Sequence, residues 1–225
     1  MASAVIPKGC IAVIGDMVAS RELTPARRRE TQKRFTKFIS ALNEQFAPAL
    51  LAKFVITVGD EFQGLITDGS ILPDVIWKVA RGFSDRALRL GFGYGRLDTP
   101  VGRYAINVDG PALHCARDAI NHAKKRNELG GVFRGFGDNF DLALNGVARL
   151  LEFHREQRTE QQMRVIGMLR QGLAQVRIAE KLKLSTQAIS DHVRAAGWDS
   201  YRQGEMALSA AMSLFASQTP RGKLR

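Results

Sequence analysis

The sequence predicts an α+β protein with a ferredoxin-like βαββαβ domain at residues 1–155 and an all-α helix-turn-helix domain at residues 156–217. Two observations lead to this architecture. Apolar runs of strand length alternate with helical stretches up to about residue 155, and no strand pattern occurs after about residue 158. A chain of 225 residues is long enough for two modest domains. Residues 218–225 are expected to form a disordered tail.

The first part of the chain gives a strand, a helix and a hairpin. Residues 11–14 are wholly apolar and end at Gly15-Asp16, which is typical of a buried central strand. Thr24-Pro25 marks a helix start. The helix that follows has an apolar stripe formed by Phe35, Phe38, Ile39, Leu42 and Phe46. Two β-branched runs within residues 53–66 flank Gly59-Asp60-Glu61, which indicates a hairpin with an acidic tip.

The next elements complete the βαββαβ order and extend it. Residues 73–85 suit a second helix. Residues 87–97 suit a strand, whose three glycines would let another part of the molecule approach its backbone. Residues 110–126 predict a third helix with a proline near its first turn. An edge strand within residues 131–137 and a helix from residue 139 to about 158 end the domain.

The net charge is the first hint of function. Lys and Arg number 33 against 22 acidic residues, which gives +11 at neutral pH and favours a polyanionic partner such as nucleic acid or nucleotide. A charge that only keeps the protein soluble is the alternative. No apolar run reaches the roughly 18–20 residues of a membrane span, so we expect no membrane partner. The two cysteines have no metal-ligand spacing and predict a reduced, cytoplasmic protein.

Carboxylates gather where the first strand and the hairpin end. In a split βαββαβ sheet the first strand lies beside the central hairpin, so Asp16, Asp60 and Glu61 are expected to lie close together. Oxygen ligands of this kind suit Mg²⁺ or Mn²⁺ bound together with a nucleoside triphosphate. The segment that leads from Asp16 to the next helix would supply phosphate contacts. We predict phosphate contacts at Ser20 and Arg21 of this segment, and also at Gly59 of the hairpin and Arg117 of the third helix. A plain Gly-Asp turn explains the hairpin tip equally well.

Four segments carry a resemblance to a known family: IAVIGDMVASR, FVITVGDEFQGLI, LRLGFGYGRL and DGPALHCARDA. Together they resemble the SatD family of bacterial proteins over residues 10–126, and more loosely to about residue 215. They are also similar to the palm-type core of class III nucleotidyl cyclases and GGDEF domains. That similarity implies that Asp16 and Asp60 correspond to the two metal-binding aspartates of those enzymes.

The sequence departs from the cyclases where they read the base. Ile56 stands where ATP-using class III enzymes have a lysine, and Val58 stands at the first glycine of the GGDEF signature. The transition-state Asn and Arg of the cyclases, four residues apart, would fall near His114 and Arg117, which are three apart. The resemblance therefore implies that the metal and phosphate half of the site is kept without the base-reading half.

Residues 159–197 read as a helix-turn-helix. Helices are predicted at 160–171, 175–182 and 186–196, with Ser185 as the N-cap of the third. The pattern is similar to sigma-factor-like and LuxR-type regulators, with Lys183 where glycine is frequent in the turn. A trihelical packing or protein-interaction module is the alternative. The side chains expected to face double-stranded DNA are Ser185, Thr186, Gln187, Ser190, Asp191 and Arg194.

Residues 200–217 predict a last helix that covers the helix-turn-helix core or pairs with a second copy in a homodimer. The leading interpretation is a DNA-binding regulator whose palm-like domain binds a nucleotide with a divalent metal. One alternative is a cyclase or nucleotidyltransferase that uses two metals on Asp16 and Asp60. The other is a catalytically idle dimerisation scaffold.

Overall fold

The computed structural model describes residues 9–19, 23–57, 59–83 and 87–218. Short 3₁₀ turns occur at Ala47–Ala49 and Gly69–Ile71. The strands are β1 (Cys10–Met17), β2 (Leu50–Ile56), β3 (Glu61–Ile66), β4 (Leu88–Gly95) and β5 (Val132–Arg134). The helices are α1 (Pro25–Gln45), α2 (Leu72–Gly82), α3 (Pro111–Arg126), α4 (Asp138–Glu156), α5 (Glu160–Arg170), α6 (Gln175–Leu182), α7 (Thr186–Ala195) and α8 (Trp198–Gln218).

The five strands form one sheet in the order β2-β3-β1-β4-β5, so the protein is a mixed α+β structure. β1 lies at the centre and pairs antiparallel with β3 on one side and β4 on the other. β2 and β3 form the hairpin, and β5 runs parallel to β4. Every residue of β1 is buried, as its apolar run predicted.

The two faces of the sheet are covered by different helices. Ile11 and Val13 of β1 belong to the core that includes the buried stripe of α1 and the apolar side of α2. Ala12 and Ile14 point to the other face, where they pack with α3. The glycines of β4 allow α3 to lie close, because a Cβ at Gly93 would stand 2.1 Å from the backbone nitrogen of Ala116.

The second helix ends earlier than the sequence indicated. α2 stops at Gly82, and the backbone of the buried Phe83 is extended. The remainder of the predicted helix, residues 84–86, lies outside the described residues, as does most of the predicted tail, residues 219–225. In the described part of the chain, no helix combines the length and apolarity needed to cross a membrane.

The helices α5, α6 and α7 pack around a small core of Val165, Ile178, Ala179 and Ile189. Lys183 ends α6 in the left-handed conformation, with φ of 54°. Ser185 then begins α7, and its hydroxyl accepts a hydrogen bond of 3.1 Å from the backbone N–H of Ala188. The three helices therefore begin and end within a residue or two of the positions that the sequence predicted.

The last helix does not pack as expected. Leu208 and Met212 of α8 belong to the core that holds α1 and α2, and Ser209 Oγ donates a 3.0 Å hydrogen bond to the carbonyl of Ser70. Phe215 packs against Tyr94 of β4, with ring centroids 4.7 Å apart. The prediction that this helix covers the core of the preceding three helices was wrong in this respect, because the sheet domain offers it a larger aromatic surface.

Candidate functional site

Two of the predicted carboxylates meet on the face of the sheet that α3 covers. Asp16 at the end of β1 pairs in register with Glu61 at the start of β3 and, on its other side, with Arg89 of β4. The side chains of Asp16 and Glu61 are only 11% and 13% exposed. Two acidic groups are thus held side by side at one end of the sheet, largely shielded from water.

Cations of α3 contact both carboxylates. Lys124 Nζ lies 3.0 Å from Asp16 Oδ1 and 4.0 Å from Glu61 Oε2. Arg117 donates two hydrogen bonds to Glu61, of 2.5 and 2.7 Å. Positions 117 and 124 are seven residues apart, or about two helical turns. They therefore share the side of the helix that faces the sheet. Arg89 Nη1 completes the group 3.8 Å from Asp16.

The surroundings shift the pKa values of the two carboxyl groups in opposite directions. Burial raises the pKa of Asp16, and the hydrogen bond and charge of Lys124 offset only part of that effect. Burial by itself would also raise the pKa of Glu61. The bidentate hydrogen bonds and the charge of Arg117 outweigh the effect of burial, so the pKa of Glu61 is lowered. Glu61 in turn raises the pKa of Arg117. Glu61 is therefore the better stabilised anion of the pair.

Asp60 belongs to the tight turn beside this site. Gly59 has a φ of 58°, and the carbonyl of Asp60 accepts a 3.2 Å hydrogen bond from the backbone N–H of Met17. A pocket of about 170 Å³ lies between this turn and the first two turns of α1. It is lined by Met17, Leu23, Arg28, Thr31, Gln32, Gly59 and Asp60. The hairpin thus contributes Glu61 to the carboxylate pair and Asp60 to this pocket.

The carboxylates at the strand end do not form a ready site for a divalent metal. The described residues contain no group of three or more His, Cys, Asp or Glu side chains placed to hold one. The oxygens of Asp16 and Glu61 instead contact Lys124 and Arg117. The residues as arranged therefore do not fit a resident Mg²⁺ or Mn²⁺, and the metal stays a prediction.

Two of the four predicted phosphate contacts lie among the residues that the structure describes. Ser20 and Arg21 lie outside the described residues, and Gly59 lines the pocket at the hairpin turn. Arg117 binds Glu61. Sequence reasoning missed Lys124, although its spacing of seven from Arg117 on a predicted helix was a usable signal.

Sequence reasoning also missed Arg89. Only the pairing of β1 with β4 places this residue opposite Asp16. Before the strand register is known, this arginine is one basic residue among many. No signal in the sequence could have singled it out.

The predicted DNA-facing residues lie at the start of α7 and along its outer side. Thr186, Gln187 and Arg194 are exposed, whereas Ser190 and Asp191 are partly buried. Asp191 accepts a 2.5 Å contact from Arg194 and a 3.2 Å hydrogen bond from Gln187. A single carboxylate therefore holds the two longest polar side chains of this surface in place.

Further exposed cations lie on the two helices that pack with α7 and on the turn before it. Arg164 of α5, Arg177 and Lys181 of α6 and Lys183 of the turn are all exposed. Arg177 forms an ion pair of 2.8 Å with Glu180. Exposed cations of this kind interact with polyanions over a distance of about one Debye length.

Three solved structures are similar to part of this chain. The catalytic core of a rhodopsin-guanylyl cyclase with converted specificity, in complex with ATPαS, matches at 15% identity and a TM-score of 0.37, over 52% of this chain and 74% of that one. The non-canonical dimeric guanylyl cyclase domain of RhoGC from the aquatic fungus Blastocladiella emersonii matches at 14% identity and 0.37, over 51% and 74%. The guanylate cyclase domain of RhGC from Catenaria anguillulae, in complex with GTP, gives 14%, 0.37, 51% and 72%.

Of the two comparisons made at the level of sequence, one finds no match and the other identifies a family. No curated protein matches the chain. The family profile described as SatD matches residues 10–211, which is nearly the whole of the described chain. This match covers the carboxylate pair at the sheet end, the helices α5 to α7 and most of α8. The chain therefore belongs to the SatD family.

Proposed function

We propose that this SatD-family chain is a DNA-binding regulatory protein in which α5, α6 and α7 form a helix-turn-helix. The observation that carries the proposal is the construction of α7. Ile189 anchors the helix in a small core and is fully buried, while Thr186, Gln187 and Arg194 remain exposed. A recognition helix needs this division, because its buried side fixes its position while its N-terminal side chains reach base edges in the major groove.

The turn before α7 supports the same interpretation. Glycine is frequent at this point of a helix-turn-helix because the chain takes a left-handed conformation, and Lys183 adopts that conformation here. The small side chain of Ala179, 6% exposed, lies in the core shared by the three helices. Lys183 thus keeps the backbone geometry and adds a positive charge on the proposed DNA side.

The exposed side chains suggest distinct roles on DNA. Gln187 can pair with an adenine edge, and Arg194 with a guanine edge or a phosphate. Asp191 holds both side chains in the free protein, at 3.2 and 2.5 Å. On DNA, Arg194 would exchange this partner for one of higher negative charge density.

Salt dependence of binding to a 30-base-pair duplex of mixed sequence tests the proposal. Each phosphate contact contributes about 0.9 to the slope of log K against log salt concentration, so Arg194→Ala should reduce the slope by about that amount. Arg96→Ala is the matched control. Arg96 is 67% exposed and pairs with Asp98, much as the 76% exposed Arg194 pairs with Asp191. Equal slopes for the two variants would contradict the proposal.

A nucleotide is the proposed ligand of the sheet domain. The order of the first four strands supports the ferredoxin-like, palm-type interpretation, and the pocket beside Asp60 and Arg28 is the observation that favours a ligand there. The phosphates would be met by Arg28 and the turn at Gly59.

Thermal unfolding with ATP or GTP, with and without Mn²⁺, tests this second part. A ligand at 100 times its dissociation constant stabilises the fold by about 2.7 kcal/mol. The stabilisation should be lost in Asp60→Asn and kept in the control Asp98→Asn. If no nucleotide stabilises the protein, both the nucleotide-binding and the enzyme interpretations are contradicted.

The cyclase or nucleotidyltransferase alternative is distinguished in the same samples. That reaction releases pyrophosphate and would require both Asp16 and Asp60. Pyrophosphate release that is lost in Asp16→Asn and in Asp60→Asn would establish the enzyme. Binding without release would support the regulator.

A further inference from the structure

The outer side of α1 carries a dense run of positive charge. Residues 27–37 contain six cations and a single acid, Glu30, which gives this stretch a net charge of +5. The whole chain has +11, so nearly half of its net charge lies on about three turns of one helix. All six cations are exposed, and they are Arg27, Arg28, Arg29, Lys33, Arg34 and Lys37.

Three of these cations form a row along the helix, which we call the α1 row. Arg29, Lys33 and Lys37 are spaced four residues apart, so they follow one another on one side of α1 at steps of about 6 Å. At about 100° per residue, this side is opposite the stripe of α1 that is buried in the core. Arg28, which lines the pocket beside Asp60, lies about 100° from its neighbour Arg29. The α1 row is therefore separate from the proposed nucleotide site.

The α1 row does not stabilise the helix that carries it. Arg29 with Lys33, and Lys33 with Lys37, are like-charge pairs at i,i+4, which destabilise a helix. The first turn of α1 contains no acid, so the arginines there stand uncompensated at the positive end of the helix dipole. Glu30 pairs with Arg34 at 3.7 Å, and within the part of the chain that the structure describes no ion pair neutralises the row. A polyanion outside the chain would relieve this repulsion.

We propose that the α1 row binds the phosphate backbone of nucleic acid, as a contact surface of the sheet domain that is separate from the helix-turn-helix. The row is about 12 Å long, and a DNA duplex carries about seven negative charges over that length, at one per about 1.7 Å. Contacts of this kind do not depend on sequence, because they go to phosphates and not to base edges. The row would hold the sheet domain on a duplex of any sequence.

The surroundings of the α1 row favour nucleic acid over an anionic membrane. A helix that lies in a membrane surface inserts an apolar side among the headgroups. The apolar side of α1 is already buried in the core, where Phe35 and Leu42 are fully enclosed. None of the exposed large hydrophobic residues of the described chain lies on α1. Phosphate contacts need only exposed cations, which the outer side of α1 offers.

Salt dependence of binding tests the proposal, with the full chain and the same mixed-sequence duplex. The row variant combines Arg29→Ala, Lys33→Ala and Lys37→Ala. Each phosphate contact contributes about 0.9 to the slope of log K against log salt concentration, so the loss of three contacts should reduce the slope by about 2.7. An unchanged slope would overturn the proposal.

A second triple variant controls for net charge. Arg96→Ala, Arg103→Ala and Arg126→Ala together remove the same three positive charges from exposed positions outside α1. This variant should keep the wild-type slope, because the slope counts the phosphates that are contacted and not the total charge of the protein. Equal reductions in the two variants would show that only net charge matters and would refute a contact at the row.

Urea denaturation separates a binding defect from a folding defect. The row variant loses two like-charge pairs and a cation of the first turn, and it gains alanine, the best helix former. Its transition midpoint should therefore be at least as high as that of the wild type. A lower midpoint would show that the row serves the fold, contrary to the proposal.

Sedimentation with phosphatidylcholine vesicles, with and without phosphatidylglycerol, tests the membrane alternative. The row variant and the wild type should bind the anionic vesicles equally. If the row variant loses vesicle binding and keeps the wild-type slope on the duplex, the partner is a membrane surface and the proposal is wrong.

Comparison with Arg194→Ala separates this inference from the proposed function. If both surfaces contact DNA, adding Arg194→Ala to the row variant should reduce the slope by about 3.6 in total. A slope that changes only with Arg194→Ala would refute the contact at the α1 row and leave the helix-turn-helix standing. A slope that changes only in the row variant would do the reverse.

Discussion

Two networks of charged side chains hold this protein together in different ways. The α8 network joins Glu205 of α8 to Arg170 of α5, which also contacts Asp74 of α2. The strand-end network is the pair Asp16 and Glu61 with the cations that contact them. Both place carboxylates next to Lys or Arg, but their exposure to water differs.

That difference indicates what each network is for. At the centre of the α8 network Glu205 and Arg170 are 2% and 8% exposed, and only its outer member Asp74 is open to solvent, at 59%. In the strand-end network the cations Arg117 and Lys124 are 43% and 37% exposed. A closed network fixes the position of the elements that it joins. An open one can exchange its partners, and the pocket proposed for a ligand lies beside it, at the hairpin turn of Asp60.

The α8 network also balances a concentration of positive charge. The guanidinium of Arg158 stacks on the ring of Tyr201 at 4.1 Å, and burial lowers the pKa of both Arg155 and Arg158. Arg170 stacks on Trp77 at 4.6 Å. Glu205 is the most deeply buried acid in the surroundings of these arginines, and its removal should be costly.

Glu205→Gln should give the largest effect that we predict, a loss of about 3–5 kcal/mol in the free energy of unfolding. The substitution keeps the size of the side chain but leaves the buried charge of Arg170 with only the exposed Asp74 as an ionic partner. Urea denaturation at pH 7 measures the change through the transition midpoint.

A double variant sharpens this prediction. Glu205→Leu combined with Arg170→Met removes both charges and should recover most of the lost stability, because an apolar pair of similar volume replaces the buried ion pair well. If the double variant is as unstable as Glu205→Gln, the pair of Glu205 and Arg170 stabilises the fold by more than the neutralisation of a buried charge.

Glu61→Gln should cost less, about 1 kcal/mol. The two hydrogen bonds from Arg117 are charge-assisted, but the exposure of Arg117 weakens them. Since the pKa of Glu61 is lowered in the folded state, its contribution is present above the unfolded value of about 4.5 and is lost as the pH falls through the folded pKa.

Urea denaturation at pH 7 and pH 3 should therefore show the difference between wild type and Glu61→Gln shrinking at the lower pH. Glu30→Gln is the control, because the surface pair of Glu30 and Arg34 is more than half exposed. A loss as large for Glu30→Gln would contradict the assignment of Glu61.

Asp16→Asn should have the smallest effect, within about 0.5 kcal/mol at pH 7. Burial raises the pKa of Asp16, so its stabilising contribution is largest below the unfolded value and is lost as the pH rises through the folded pKa. The wild type should lose stability relative to Asp16→Asn between pH 4 and pH 7. A relative gain over that range would show that Lys124 outweighs burial.

The local elements were predictable because their signals are local. The apolar stripe of α1, the Gly59 turn between two β-branched runs and the Ser185 cap each depend on a few neighbouring residues. The same holds for the boundaries of α5, α6 and α7. Each signal reflects a periodicity or a backbone preference that acts within one element.

The partners of the site residues were not predictable in this way. Lys124 lies 108 positions from Asp16 in the sequence, and only the packing of α3 across the sheet brings them to 3.0 Å. Arg89 reaches the same group through the register of β4 on β1. Both contacts depend on how whole elements are placed.

The sequence by itself determined the order of strands and helices, because hydrophobic periodicity and turn residues act over short stretches of chain. The tertiary structure alone decided that α8 packs on the sheet domain, that cations of α3 contact the acidic pair, and that Leu142, Leu150 and Phe153 of α4 stay exposed. These outcomes follow from competition among surfaces for burial, and such a competition is settled only when all the elements are in place.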